Sequence, residues 1–394
     1  MRSKTIPNGL IESVTPSPDS IPKRNRALDV LRGIAVITVM LSHVQLMTKE
    51  SVQHSVFKYI RLFFSMMTIG GWSGVDMFFV LSGFLVSGLL FNEYKKTKTV
   101  QPGRFLIRRG FKIYPGFIFF IWFTLLVETF ESNSLGAKFP VTDYLKDLFF
   151  LHNYFGGRWD HSWSLDVEEA FYFLLTAFFL LSMKSNTLTL KTLKNTYFVL
   201  VIAGIAGRLI ADIMHPDYDF DLHYHYTHFR LDALFFGVVL SYLYNFKREQ
   251  LFNFFTKYKI IIAVSVICLI APNYLFHRKT NSWISVILLA TNPVAFGSLI
   301  ILAINSKLSF FHNKILSFIG RISYAVYLWH PFVNKYANYY FNTSRSGFLI
   351  YIFTYVIFSI LAGFIITKFI ENPFLSLRER LYPSKSKVPV VAAA

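Results

Sequence analysis

The sequence is short of charged residues and almost free of cysteine, and each shortage argues against a class of protein. Only 16% of its 394 residues are Asp, Glu, Lys or Arg, whereas soluble domains carry about 25%. The single cysteine, Cys268, excludes an internal disulfide and a cysteine-based metal cluster. The sequence also lacks an internal repeat, a Gly-rich phosphate loop and a Gly-x-Ser-x-Gly nucleophile elbow.

The sequence is instead rich in apolar residues. Hydrophobic residues make up 54% of the chain and aromatic residues 18%, and apolar runs of about 20 residues, the length that spans a bilayer, recur along it. The pattern predicts an all-α polytopic membrane bundle of about ten transmembrane helices. The predicted spans are residues 27–47, 72–92, 113–130, 167–183, 196–214, 229–246, 258–276, 283–304, 315–334 and 347–371. Two shorter apolar segments, 56–69 and 144–155, are predicted to be interfacial or re-entrant helices.

The net charge of +18 comes from basic residues that cluster between the apolar runs, which favours membrane orientation over nucleic-acid binding. With both termini in the cytoplasm, 27 of the 40 Lys and Arg residues fall on the inner side and 10 on the outer side. The predicted topology is therefore N-in and C-in. It divides the chain into a cytoplasmic tail at 1–26, a membrane-embedded domain at 27–374 and a cytoplasmic tail at 375–394.

The first span carries two ionisable residues, Arg32 and His43, and we expect it to be retained rather than cleaved as a signal peptide. Ionisable groups inside spans are costly and usually face a cavity or a partner. The two residues are 11 positions apart, which is about 16 Å and three turns of one helix face. Alternatively, Arg32 extends to the membrane surface and His43 is an ordinary interfacial histidine.

A basic segment follows the second span. It contains Lys95, Lys96, Lys98, Arg104, Arg108, Arg109 and Lys112. The simplest explanation is anchoring of the chain at the inner surface. However, Arg104, Arg108 and Lys112 recur at helical spacing, and such a face can bind phosphates through charge-assisted hydrogen bonds.

Further polar residues stand at the ends of other spans, on the side that the topology assigns to the exterior. They are Asp76 in GWSGVDMFF, His161, Trp163, Asp166, Glu168 and Glu169 in HSWSLDVEEAFYF, Arg230 and Asp232 in THFRLDALFFG, and His330 in YLWHPF. Acids at span ends can be merely interfacial, but a buried carboxylate or guanidinium needs a partner. All of these positions share the outer half with His43.

The loop HPDYDFDLHYHYTH at 215–228 alternates acids, histidines and tyrosines. Oxygen and imidazole ligands make a metal site conceivable, but the ligand types are mixed and no fixed-spacing motif is present. An aromatic, acceptor-binding surface is the favoured interpretation, and no metal site is predicted.

Six segments together resemble the acyltransferase 3 family of multi-spanning membrane proteins. They are RALDVLRGIAVITVMLSH, GWSGVDMFFVLSGFLVSGLL, FLIRRGFKIYP, HSWSLDVEEAFYF, FIGRISYAVYLWHPF and IENPF. They occur in the family's order between residues 26 and 374. Two positions depart from the family pattern, because Lys112 stands where Arg is common and Ala170 replaces a frequent Gln.

The resemblance implies O-acylation, usually O-acetylation, of a cell-surface or lipid-linked glycan such as lipopolysaccharide O-antigen. The donor would be cytoplasmic acetyl-CoA, and the protein would lie in the bacterial inner membrane. Many members carry an extra extracytoplasmic hydrolase-like domain, and this sequence resembles the stand-alone type. Some members act on small molecules, so a small-molecule acyltransferase remains an alternative.

A mechanism follows from the resemblance and from the chemistry of acyl transfer. His43 is the predicted general base, because a sugar hydroxyl must lose its proton as it attacks. A carboxylate is expected to orient the His43 ring, with Glu168 as the first candidate and Asp76 as the second. Trp163 and the backbone near Ser82 and Gly83 are candidate oxyanion donors.

The remaining predicted roles concern the two substrates. The residues expected to bind the phosphates of acetyl-CoA are Arg32, Arg104, Arg108, Arg109 and Lys112. The residues expected to bind the acceptor are Trp163, Arg230, Asp232 and His330. A transporter of a lipid-linked sugar is the main non-enzyme alternative, since it too would hold charges inside spans, but such proteins often show repeated halves.

Overall fold

The computed structural model describes residues 25–46, 55–135, 141–215, 219–277, 281–342 and 345–383, and within these ranges every regular element is helical. The first nine α-helices are α1 (Arg26–Ser42), α2 (Ser55–Gly70), α3 (Ser73–Thr97), α4 (Pro102–Leu135), α5 (Val141–Leu148), α6 (His152–Phe155), α7 (Trp163–Lys184), α8 (Leu190–Met214) and α9 (Phe220–Tyr224). They are followed by α10 (Leu231–Phe246), α11 (Arg248–Lys257), α12 (Lys259–Leu275), α13 (Ser282–Ile304), α14 (Lys314–Arg321), α15 (Ser323–Phe341), α16 (Arg345–Ile366) and α17 (Asn372–Leu381). The predicted all-α fold class is confirmed.

The protein is an integral membrane protein by the length and apolar character of its helices. Within the described residues, five helical stretches are long and apolar enough to cross a bilayer, and the pair α11 and α12, bent by 82°, would make a sixth. The five are Ser73–Thr97, Pro102–Glu131, Leu190–Met214, Ser282–Ile304 and Gly347–Leu381. Each of the ten predicted spans contains a helix. The count of ten crossings and the N-in, C-in topology stay predictions.

Helix α1 lies inside the bundle, in contact with α2, α3, α13, α14 and α15. Asn25 starts it, since its side-chain oxygen accepts the Ala27 N–H at 3.0 Å. The helix ends at Ser42, earlier than predicted, so that His43 is its C-terminal cap. The first span therefore presents Arg32 from the helix interior and His43 from the helix end.

Close approach of helix backbones fixes the neighbours of α1 and α3. A Cβ on Gly320 of α14 would lie 1.7 Å from the carbonyl oxygen of Asp29, and a Cβ on Gly83 of α3 would lie 1.8 Å from that of Leu234 in α10. Neither position has room for a side chain, as is common where membrane helices pack closely. Between Gly320 and Ser323 the predicted span 315–334 is broken into α14 and α15.

Candidate active site

Three neighbouring cavities adjoin α1. The basic vestibule is lined by Arg32, Lys112, Arg321, Lys368 and Glu371, among others. The central cavity is lined by Arg32, Ser82, Arg109, Lys112, Glu168 and Tyr172, together with apolar side chains. The histidine cavity is lined by His43, Asp160, His161, Trp163, Asp221 and His225, among others. Arg32 and Lys112 belong to the first two cavities, and Val75 and Tyr327 to the last two, so the three are contiguous.

His43 is held at the end of α1 with a defined ring orientation. Its Nδ1 lies 2.9 Å from the carbonyl oxygen of Val39. A carbonyl oxygen only accepts, so Nδ1 carries a proton, and in the neutral imidazole Nε2 then has the lone pair that a general base needs. The backbone is also fixed, because the Asn334 amide donates to the His43 carbonyl at 2.7 Å and Tyr351 donates to Asn334 at 2.7 Å.

Two further histidines surround this residue. The ring centroid of His330 lies 5.0 Å from that of His43 and 5.6 Å from that of His161. His330 and His161 are both buried. Burial, followed by the nearby His43 imidazole, lowers the pKa of His161 to about 3, so that this ring is neutral. Among the described residues, no group of three or more His, Cys, Asp or Glu side chains is arranged to hold a metal ion.

Sequence reasoning singled out His330 but gave His161 no role, although the latter stands directly before the WSL segment. The structure brings both to His43, as it does Trp163. The Trp163 ring lies 4.8 Å from the ring of His225, nearly parallel to it, and 4.6 Å from that of Tyr224. From the described part of the loop 215–228, Asp221, Tyr224 and His225 line the histidine cavity.

The two carboxylates predicted to orient His43 have other partners. Glu168 lines the central cavity and accepts a hydrogen bond from the Tyr172 hydroxyl at 2.6 Å. Asp76 is buried between the guanidinium of Arg230 and the amide of Asn292, which donates at 2.6 Å. Neither carboxylate lines the histidine cavity. The role of either carboxylate in orienting His43 stays a prediction.

Arg230 and Asp232, predicted to bind the acceptor, line none of the three cavities. Arg230 pairs with Asp76 and lies over the rings of Phe79 and Tyr224, at 5.4 and 4.9 Å from their centroids. Asp232 is buried and accepts the N–H of Ala233 at 2.8 Å. Both residues are buried in the bundle core. The guanidinium of Arg230 has its counter-charge in Asp76, as a buried charge requires.

The five residues predicted to bind phosphates are divided among different places. Arg32 and Lys112 line both the basic vestibule and the central cavity, and Lys112 pairs with Glu371. Arg109 lines the central cavity, with its guanidinium 5.6 Å from the centroid of the Tyr172 ring.

Arg104 and Arg108 lie apart from these residues. Arg108 pairs with Glu379 at 2.8 Å and donates to the Tyr382 carbonyl, which ties the C-terminal helix α17 to α4. Arg104 is half-buried in the first turn of α4 and lines none of the three cavities. Arg321 and Lys368, which sequence reasoning counted only as inner basic residues, line the vestibule instead.

Comparisons of the sequence with known proteins identify its relatives. A family model described as an acyltransferase domain, acyltransferase 3, matches residues 25–368. The chain is similar to "Putative O-acetyltransferase SACOL0978" of Staphylococcus aureus (strain COL), at 28% identity over 366 residues, which cover 88% of this chain and 56% of that protein. It is also similar to "O-acetyltransferase OatA" of Staphylococcus aureus (strain NCTC 8325 / PS 47), at 25% identity over 383 residues, which cover 89% of this chain and 57% of that protein.

The chain thus spans little more than half the length of these relatives. No solved structure matches it. The family model, in contrast, covers most of the sequence, including Arg32, His43, Trp163 and His330. The chain therefore belongs to the acyltransferase 3 family.

Proposed function

We propose that this protein is a membrane O-acyltransferase, and specifically an O-acetyltransferase, of the bacterial inner membrane. It moves an acyl group from cytoplasmic acetyl-CoA to a hydroxyl of a cell-surface or lipid-linked glycan, such as lipopolysaccharide O-antigen. The observation that carries this proposal is the contiguity of the basic vestibule, the central cavity and the histidine cavity along α1. The names of the two staphylococcal relatives support acetyl transfer to oxygen.

The basic vestibule has the chemistry needed to hold the phosphates of acetyl-CoA. Arg32, Arg321 and Lys368 line it together with the paired Lys112, and guanidinium groups bind phosphate oxygens through charge-assisted hydrogen bonds. Under the N-in, C-in topology this cavity opens toward the cytoplasm, where the donor is found. The vestibule replaces Arg104 and Arg108 as the proposed phosphate site.

The central cavity then holds the uncharged pantetheine arm. Its wall is largely apolar, with Val75, Phe78 and Leu85 among the lining residues, so an uncharged chain enters it at a lower desolvation cost than a phosphate. Arg109 stands at this cavity and provides one more positive charge near the arm. The thioester at the end of the arm reaches Val75 and Tyr327, where the central and histidine cavities meet.

His43 Nε2 is the proposed general base. It accepts the proton of the acceptor hydroxyl while that oxygen bonds to the thioester carbonyl carbon. The carbon–sulfur bond then breaks, and the CoA thiolate leaves and takes up the proton from the imidazolium. In the alternative two-step route His43 Nε2 is the nucleophile: it displaces the CoA thiolate to form an acetyl-histidine, and the acceptor oxygen then takes the acetyl group from it while the hydroxyl proton passes to the thiolate.

The oxyanion of this reaction needs a hydrogen-bond donor, and the predicted candidates differ in whether the helix already uses their N–H groups. Ser82 and Gly83 lie in the interior of α3, where backbone N–H groups are used in helical hydrogen bonds. Trp163 lines the histidine cavity and carries an indole N–H. We therefore retain Trp163 as the proposed donor.

The test is the substitution His43→Ala in purified protein, with release of CoA from acetyl-CoA as the measurement. Removal of a general base costs a factor of about 10² to 10⁴ in rate, while the unfolding temperature should remain that of the wild type. The matched control is His312→Ala, which removes an exposed histidine bonded to the Leu308 carbonyl, away from the cavities. Full activity of the His43 variant would refute its role as base, and a wild-type protein without thioester turnover would favour a transporter.

A further inference from the structure

The loop at 156–162 is folded around one buried carboxylate. Asp147 accepts hydrogen bonds from the backbone N–H groups of Arg158 and Trp159, both at 2.9 Å. A Cβ at Gly157 would lie 2.0 Å from an oxygen of Asp147, so no side chain fits there. The path of this loop, which delivers the next two residues to the histidine cavity, is thus set by Asp147.

Asp160 stands on this loop and is held in place by a histidine. His152 contacts Asp147 at 2.9 Å through Nδ1 and Asp160 at 3.5 Å through Nε2. Burial alone would lower the pKa of His152, but its hydrogen bonds to the two carboxylates raise it to about 9. The hydrogen bond from His152 lowers the pKa of Asp160 to about 2. Asp160 is therefore anionic, and its side chain is 95% exposed where it lines the cavity.

The facing wall is anchored in a similar way. On α9, His223 is buried between the Ser285 hydroxyl, 2.9 Å from Nδ1, and an oxygen of Asp212, 2.8 Å from Nε2. The contact with Ser285 joins α9 to α13, and the contact with Asp212 joins α9 to α8. His223 does not line the histidine cavity. The residues that this segment presents to the histidine cavity are Asp221, Tyr224 and His225.

The described lining of the histidine cavity carries acidic side chains and one buried ring nitrogen whose hydrogen-bonding capacity is unused within the described residues. No lysine or arginine is found among its described lining residues, whereas two aspartates, Asp160 and Asp221, belong to it. His161 is 4% exposed, and its Nδ1 has no hydrogen-bond partner within the described residues. A buried polar atom of this kind normally has a partner, so a bound ligand is the natural source of one.

We propose that the histidine cavity binds the acceptor as an uncharged or cationic sugar unit and selects against sugars that bear a carboxylate. This inference rests on the proposed function. The stacked rings of Trp163 and His225 offer an apolar face for a sugar ring, while Asp160 and Asp221 accept hydrogen bonds from hydroxyl or ammonium groups. An acidic sugar would bring a third negative charge beside these two carboxylates, and like charges repel.

The experiment measures binding of simple methyl glycosides to the purified full chain by quenching of tryptophan fluorescence, since Trp72 and Trp163 line the cavity. The probes are methyl glucoside, methyl glucosaminide and methyl glucuronide, which differ mainly in charge. We expect the first two to bind at least about 10-fold more tightly than the glucuronide, equivalent to ~1.4 kcal/mol. Asp160→Asn combined with Asp221→Asn should reduce that ratio to about threefold or less.

The matched control is Asp143→Asn, which removes an acid paired with Lys146 outside the cavity and should leave the ratio unchanged. Equal binding of neutral and acidic glycosides, or binding of none, would overturn the inference. Release of CoA from acetyl-CoA is followed in the same samples. Charge-selective glycoside binding without thioester turnover would refute the proposed function alone, and turnover without charge selectivity would refute only the acceptor assignment.

Discussion

His152 provides a quantitative test of how the histidine cavity is assembled, because its charge should stabilise the fold only over a defined pH range. It is 6% exposed and lies between Asp147 and Asp160. Its pKa is raised above the unfolded value by these two carboxylates, against the opposing effect of burial. The protonated form therefore stabilises the folded state fully below about pH 6.5, and this contribution is lost as the pH rises through about 9.

The size of the effect follows from the pKa shift. A rise from 6.5 to about 9 corresponds to about 3 kcal/mol at ~1.4 kcal/mol per pKa unit. Asp160 is 95% exposed, so solvent screens its share of the interaction. We therefore expect the protonated histidine to contribute about 1–2 kcal/mol to the free energy of unfolding.

The perturbation is His152→Gln, which keeps a hydrogen-bonding side chain but cannot become charged. Wild type and variant are unfolded in detergent at several values between pH 6 and pH 10, with tryptophan fluorescence as the signal. The difference in unfolding free energy should be largest near pH 6 and should shrink above pH 9. His312→Gln, at an exposed histidine, should show no such trend. A difference that is constant or that grows with pH would refute the reasoning.

Two further predictions separate residues that look alike in the sequence. Arg109→Gln should weaken acetyl-CoA binding by about 10- to 100-fold, the loss of a hydrogen bond from the charged guanidinium to the pantetheine arm, whereas Arg108→Gln should mainly lower the unfolding temperature, because Arg108 anchors α17. Both variants are compared by equilibrium binding of acetyl-CoA and by thermal unfolding. Weaker binding in Arg108→Gln than in Arg109→Gln would contradict the assignment of Arg109 to the donor site. Asp76→Asn should destabilise the protein by about 3–5 kcal/mol, since Arg230 then loses the buried carboxylate with which it pairs. The double variant with Arg230→Met should recover part of that loss in a denaturant titration, and a neutral Asp76→Asn would contradict the buried pair.

The approximate positions of the helices could be predicted from the sequence, because they depend on local apolar runs of the chain. Long apolar runs must satisfy their backbone groups internally in a membrane, which only helices and closed barrels achieve. A helix accordingly covers every predicted span, although α1 ends before position 47 and a break after Arg321 divides another span. Such breaks depend on contacts with distant helices, as at Gly320 against Asp29, and local pattern does not contain them.

The partners of charged side chains were less predictable, because they depend on how each helix is rotated. Glu168 follows Trp163 by five positions on α7, a rotation of about 140° and a rise of about 7.5 Å. These offsets place Trp163 at the histidine cavity and Glu168 at the central cavity. Likewise, Asp76 and Arg230 were each recognisable as polar residues in an apolar context, but their pairing requires the contact between α3 and α10.

On the proposed route, the spacing of Arg32 and His43 has a physical meaning. Both belong to α1 and its cap, about 16 Å apart along the helix, and the cavities they line each share lining residues with the central cavity. Phosphates stop at the vestibule, because burying their charge in the largely apolar central cavity would cost them desolvation energy. The uncharged arm does not meet this penalty. The separation of the two residues on α1 therefore matches the division of the donor into a charged head and a neutral arm.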